Sequence, residues 1–189
     1  PLDSQHFTGH RDVEVLAADA AAAQVLLVLL NDEALLVRGG EVAAKEDVKS
    51  IDDSLVLCRI RSREARIAVR RGAGPALHHA RVLIAAHLAA AAEESCRLAV
   101  EYAKLRQQFG KQIGSFQAVA HHCSDMASRA RAAWAQARFA GLAVHHARGD
   151  AAFQADAALI VSNEAANRNA AIAIRVHGGL GFTTGCAVH

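Results

Sequence analysis

The stretch best equipped for chemistry runs Tyr102-Ala103-Lys104-Leu105-Arg106-Gln107-Gln108-Phe109-Gly110-Lys111-Gln112-Ile113-Gly114-Ser115-Phe116-Gln117. Its residue types describe the end of one helix, a turn carrying Gly110 and Gly114, and the first turn of a second helix. Arg106 suits a phosphate, because a planar guanidinium offers two parallel N–H donors. Free amides at the start of the next helix favour an anion as well. The same residues also suit a solvated helix end with a capping loop, and spacing alone leaves the two readings level. Metal chemistry fares worse. Cys58, Cys96, Cys123 and Cys186 are far apart with no CxxC pair, whereas a structural metal needs closely spaced ligands. Free thiols in a reducing cytoplasm are the expectation. The histidine pairs at 78 and 79, 121 and 122, and 145 and 146 would point about 100° apart on a helix, a poor grip on one ion. No metal site is expected.

The elements that must position Arg106 follow from composition and pattern. The chain has 189 residues, 52% hydrophobic and only 4% aromatic, with a net charge of +2. That length supports one sizeable core, or a core and a small module. So small a charge excess gives no case for nucleic acid, and so few aromatics offer no stacking platform. The most apolar run, 25–30, falls far short of the ~20 residues a membrane span requires. Neither nucleic acid nor membrane is an expected partner.

Residues 1–75 read as a small β-rich module. Runs 13–16, 25–30 and 55–60 are of strand length, and 66–70 alternates polar and apolar. Asn31-Asp32 and Gly39-Gly40 are turn chemistry, while 17–24 suits strand or helix equally. Beyond Gly72-Ala73-Gly74-Pro75 the chain becomes rich in Ala, Leu, Glu and Arg. Helices are expected over 77–107, 116–148 and 151–176, the last capped by Gly178-Gly179. Leu88, Ala91, Ala92, Ser95, Leu98, Ala99 and Tyr102 mark the expected buried face of the first. Alanine-rich faces let helices approach closely, so residues 76–189 should form an antiparallel bundle. The expected fold is mainly α, with the β module in front.

Arg106-x-x-Phe109-Gly110 followed by Gln117 resembles the signature of the acyl-CoA dehydrogenase family, in its C-terminal helical domain. A second segment, Arg175-Val176-His177-Gly178-Gly179-Leu180-Gly181-Phe182-Thr183, is similar to the family's glycine-rich Q-x-x-G-G-x-G-[FY]-T. The helical resemblance covers about residues 77–185. Upstream, Val15-Leu16-Ala17-Ala18-Asp19-Ala20 with 25–28 resembles the end of the family's middle β domain. The resemblance implies FAD as cofactor and an acyl-CoA as substrate. It implies that Arg106, Phe109 and Gln117 contact the FAD of a neighbouring subunit near its pyrophosphate and adenosine. Arg175, Gly178 and Gly179 would lie along the same adenosine-diphosphate portion from another side. Arg81 falls where the family places an arginine near the substrate.

Departures from the family pattern shape the functional expectation. The family removes the α-proton of the thioester with a glutamate, in one version placed just before the position of Arg81. Here that position is Ala80, after His78 and His79, and alanine takes no proton. The other version places its glutamate past the point where this sequence stops. Leu16, Ala17 and Ala18 replace the Trp-x-Thr that packs near the flavin, Arg175 replaces a glutamine, and Gly185 a glutamate. No catalytic residue is therefore expected in this chain. The pattern resembles the base-lacking subunit of actinobacterial α2β2 dehydrogenases that shorten steroid side chains, whose homologous partner subunit supplies the base. The alternatives are an ordinary homo-oligomeric acyl-CoA dehydrogenase with missing terminal segments, and a non-catalytic helical scaffold.

Overall fold

The computed structural model describes residues 9–18, 20, 23–30, 33–38, 44–50, 55–71, 74–183 and 185–188. The turns expected at Asn31-Asp32 and Gly39-Gly40 lie outside them. The chain divides into two compact units, Pro1–Leu77 and His78–His189.

Among the described residues the first unit holds five antiparallel strands: β1 (Gly9–Ala18), β2 (Val25–Leu30), β3 (Glu33–Arg38), β4 (Ala44–Val48) and β5 (Leu57–Arg71). The runs expected at 55–60 and 66–70 are one strand, the 15-residue β5. It pairs with β1 along one edge, while β4 (opposite 57–61) and β3 (opposite 67–71) follow one another on the other. β2 pairs with β3 and ends the order β1-β5-β3-β2. The period of two then sorts the side chains. Cys58 and Ile60 are fully buried against Ala20, Val15, Ala17, Ala23 and Leu26. Alternating with them, Arg59 and Arg61 face Glu14 and Glu46 in a lattice of ion pairs at 3.1–4.0 Å. β3 and β4 were not expected: lysine, glutamate and aspartate break any apolar run in β4, and the apolar stretch of β3 is only the four residues 34–37. In the ambiguous stretch 17–24, Ala17 and Ala18 belong to β1 and no helix forms among the described residues.

The second unit is a bundle of three long helices, α1 (Gly74–Leu105), α2 (Gln117–His145) and α3 (Ala151–His177). Between α1 and α2 lie two short strands, β6 (Gln107–Gln108) and β7 (Lys111–Gln112), and a 3-10 turn. α1 starts earlier than expected, with Pro75 in its first turn, where a missing N–H breaks no hydrogen bond. α2 stops at His145, three residues short of expectation, as Ala147 takes φ +47°.

The expected buried face of α1 needs correction. The fully covered residues are Ala85, Ala89, Ala92, Cys96, Ala99 and Ala103. Only Ala92 and Ala99 belong to the expected set; Leu88, Ser95, Leu98 and Tyr102 flank the stripe half-buried and Ala91 is exposed. Matching alanines on α2 (130, 133, 137, 140, 143) and α3 (151, 155, 158, 165, 173) complete the core. Side chains this small allow helix axes to approach toward the lower limit of about 8 Å. Asn169 of α3, fully buried, crosses this seam. Its amide nitrogen donates to the carbonyls of Ala92 on α1 (2.9 Å) and Met126 on α2 (3.0 Å), and its oxygen accepts from Arg129 Nε (3.1 Å).

Candidate functional site

At the C-terminal end of α1 the chain reverses within a few residues. Arg106 N–H donates to the Tyr102 carbonyl, continuing the helix by one bond, while the Arg106 carbonyl accepts from Ile113 N–H, both at 2.9 Å. β6 and β7 form a two-rung hairpin, Gln107 opposite Gln112 and Gln108 opposite Lys111. Its two-residue loop is Phe109 (φ +54°) and Gly110 (φ +79°), the pair of positive φ angles that matches the twist of a tight hairpin. Glycine adopts this freely; phenylalanine does so at a cost of order 1 kcal/mol. Phe109 is also 91% exposed, meeting Phe116 edge-on at 6.1 Å, and the Lys111 ammonium sits 4.4 Å over the Phe116 ring. A Cβ at Gly114 would stand 2.9 Å from the Ala103 carbonyl, so the hairpin returns flush against α1. Gln117 opens α2 and is exposed.

The glycine-rich segment ends α3. Gly178 (φ +61°) follows the last helical residue, as the expected cap, and its N–H donates to the Arg175 carbonyl. Residues 178–182 then fold back as a 3-10 turn. A Cβ on buried Gly181 would lie 2.5 Å from the Ile174 carbonyl and 3.1 Å from His177 Cβ, so only glycine fits there. His177 is buried, with Nδ1 donating to the Ala173 carbonyl at 2.8 Å. Its ring stacks on Tyr102 of α1, centroids 4.3 Å apart and planes 24° from parallel.

That stack joins the two segments. Tyr102 is one turn before Arg106 and His177 immediately precedes Gly178. Arg106, Phe109, Gln117, Gly178 and Gly179 therefore share one end of the bundle. Arg175 is two residues before His177, about 200° around α3 at 3.6 residues per turn, so it presents another face of the same helix turn. Arg81 is not part of this group. It lies 25 residues before Arg106, about 37 Å along α1 at 1.5 Å per residue. Its guanidinium is paired with Asp156 of α3 at 2.6 Å.

Five bundle arginines, Arg129, Arg131, Arg138 and the two of the motifs, have no carboxylate partner among the described residues. Arg97 pairs with Glu94 and Glu101, Arg148 with Asp150, and Arg168 with Glu164. Among the described residues no carboxylate pairs with Arg106 or Arg175. An unpaired guanidinium, an exposed aromatic ring and a glycine turn that admits close backbone approach fit a nucleotide diphosphate such as that of FAD. Elsewhere, burial raises the Cys96 and Cys123 thiol pKa values, which keeps both protonated. Among the described residues no cluster of His, Cys, Asp or Glu could hold a metal ion, and no helix is long and apolar enough to cross a membrane. Sequence reasoning missed the Tyr102–His177 stack. The available signal was that Tyr102, the chain's only tyrosine, stands one helical turn before Arg106.

Comparison with known proteins agrees with this architecture. The pattern describing the acyl-CoA dehydrogenase C-terminal domain matches residues 70–189. The chain belongs to the acyl-CoA dehydrogenase family. It is 33% identical over 184 residues to acyl-CoA dehydrogenase FadE34 of Mycobacterium tuberculosis, covering 96% of this chain and 26% of that protein. It is 39% identical over 107 residues to acyl-CoA dehydrogenase IpdE2 of the same organism, covering 55% and 31%. Among solved structures, a variant of the steroid ACAD Tcur3481–Tcur3483 superposes with a TM-score of 0.85 at 22% identity, covering 95% of this chain and 51% of that one. Butyryl-CoA dehydrogenase from Megasphaera elsdenii gives 0.79, also at 22%, covering 95% and 52%. At that identity the likeness is one of fold. The chain spans about a quarter to a third of these curated relatives and half of these solved chains.

Proposed function

We propose that this chain is an FAD-contacting part of an acyl-CoA dehydrogenase, serving the α,β-desaturation of an acyl-CoA thioester. The observation that carries the reading is Arg106, without a carboxylate partner, beside a strained hairpin at the same end of the bundle as the glycine turn. Arg106 would hold the diphosphate charge with paired N–H donors. Gly178 and Gly179 would let backbone approach it, Arg175 would add charge from its own face of α3, Gln117 would supply a polar edge, and Phe109 an apolar ring face. When bound, FAD supplies the acceptor for the hydride that leaves the β-carbon.

The α-proton needs a base, and Ala80 cannot be it. That substitution favours the base-lacking subunit of a heteromer, α2β2 with a homologous dehydrogenase subunit. The steroid ACAD among the structural relatives adds support for a steroid side-chain acyl-CoA as substrate. Arg81 would serve the substrate's nucleotide only by exchanging Asp156 for a phosphate. Absorbance in the flavin bands tests the shared site. The chain purified alone should carry little FAD, and the chain co-expressed with a homologous acyl-CoA dehydrogenase subunit should carry it near stoichiometrically. Stoichiometric FAD on the isolated chain overturns the shared-site reading.

A further inference from the structure

We infer that Tyr102 and His177 form a positioning couple that sets the separation of the Arg106 hairpin from the Gly178-Gly179 turn, and thereby the grip on a nucleotide diphosphate. The inference rests on the FAD reading above and names two residues to which that reading gives no role. Three observations carry it. First, the aromatic stack is a direct side-chain link between the last turns of α1 and α3, with rings 4.3 Å apart. Second, each of the two residues is tied to backbone beside one segment. The Tyr102 carbonyl accepts the Arg106 N–H, and His177 Nδ1 is held by the Ala173 carbonyl one turn back. Third, His177 has Tyr102 on one side and the refolded turn on another, where a Cβ on Gly181 would crowd His177 Cβ at 3.1 Å. A shift of one ring must therefore move either the hairpin or the turn.

The core cluster at this end, Cys96, Ala99, Met126, Ala173 and Val188, is made of apolar side chains without flat faces, and the couple adds a ring-on-ring contact between α1 and α3. Two stacked rings resist both sliding and separation, since displacement loses ring-to-ring contact. The His177 tautomer follows from the same geometry, because a carbonyl only accepts. Nδ1 carries the proton, which holds the ring plane fixed against Tyr102.

ADP, the part of FAD these segments would hold, is the probe, added in millimolar excess so that the weak grip of the chain alone is still filled, while the amide NMR shifts of the whole chain are followed. Circular dichroism monitors folding. In the wild type, ADP should shift the amides of residues 106–111 and 178–181, and Arg106→Ala should abolish or weaken that response. Tyr102→Leu, which removes the ring, and His177→Gln, which keeps an N–H donor without a ring, should each weaken ADP binding by about tenfold, the cost of lost preorganisation. Tyr102→Phe, which keeps the stack, should stay within about twofold. Should Tyr102→Leu fail to fold, His177→Gln against Tyr102→Phe carries the same comparison. In a double variant, Tyr102→Leu should add little to the loss already caused by Arg106→Ala. A response that Arg106→Ala abolishes but Tyr102→Leu and His177→Gln leave unchanged overturns the couple alone. No response in the wild type, or one indifferent to Arg106→Ala, overturns the FAD reading and the couple with it.

Discussion

The middle of the helical bundle and its hairpin end are built on opposite terms. In the middle, alanine meets alanine and the one fully buried amide, Asn169, bonds to three partners on two other helices. At the hairpin end the side chains face outward: Arg106 has no carboxylate partner among the described residues, Phe109 is exposed at positive φ, and Lys111 leans on Phe116. The first region bonds Asn169 on every side, leaves Arg129 Nη2 and Ser162 Oγ buried without a partner among the described residues, and derives its stability from closeness. The second leaves charge and ring faces available, at a local backbone cost. The difference teaches where each kind of substitution acts. Changes in the middle should alter the fold and spare recognition; changes at the end should do the reverse.

The largest effect should come from the middle. Asn169→Ala strands Arg129 Nε and opens space between three helices, costing roughly 2–4 kcal/mol. Thermal unfolding should then fall by about 5–15 °C for a chain of this size, while ADP binding to the folded protein keeps its wild-type affinity. An unchanged melting temperature would break the comparison on its stability side. Next comes Arg106→Ala, which removes a charge-assisted contact of about 1.5–3 kcal/mol and should weaken flavin retention in the assembled protein roughly ten- to a hundredfold. No core cavity is opened, so the melting temperature should hold; a large drop with FAD content unchanged would make Arg106 structural. Gly181→Ala sits on the boundary and should do some of both. Its Cβ would press on the Ile174 carbonyl, costing about 1–2 kcal/mol, and the displaced turn should loosen ADP by a few-fold, read in one thermal melt and one titration.

Much of the bundle was legible because glycine and proline punctuate it. Gly178 caps α3 where expected, and the segment around Gly110 and Gly114 breaks α1 from α2. The buried stripe of α1 was misplaced for a physical reason. In an alanine interface closeness replaces bulk, so leucines at 88 and 98 mark the flank and hydrophobic contrast points slightly off the true contact line. Asn169 gave no signal, since a lone amide in an alanine-rich helix reads as a surface residue until three helices surround it. β5 was split in two because Arg61-Ser62-Arg63-Glu64 interrupts its apolar pattern, although these residues lie along one continuous strand. The turn after Arg106 was legible from residue types, which left an anion site and a capping loop level. Its coupling to the glycine turn was not, because Tyr102 and His177 are 75 positions apart in sequence and adjacent only once α1 and α3 are packed.

The outer position of β2 has a consequence for handling the protein. Among the described residues it is bonded only to β3, which leaves one row of amides and carbonyls open. Its sequence, VLLVLL, holds no charge and no proline, and Val25 and Leu27 are half exposed. A six-residue apolar strand with a free edge is a template on which another copy can add its own strand and so seed insoluble cross-β stacks. A charged residue at Leu27, whose side chain already faces outward, would block such growth from the strand that most invites it.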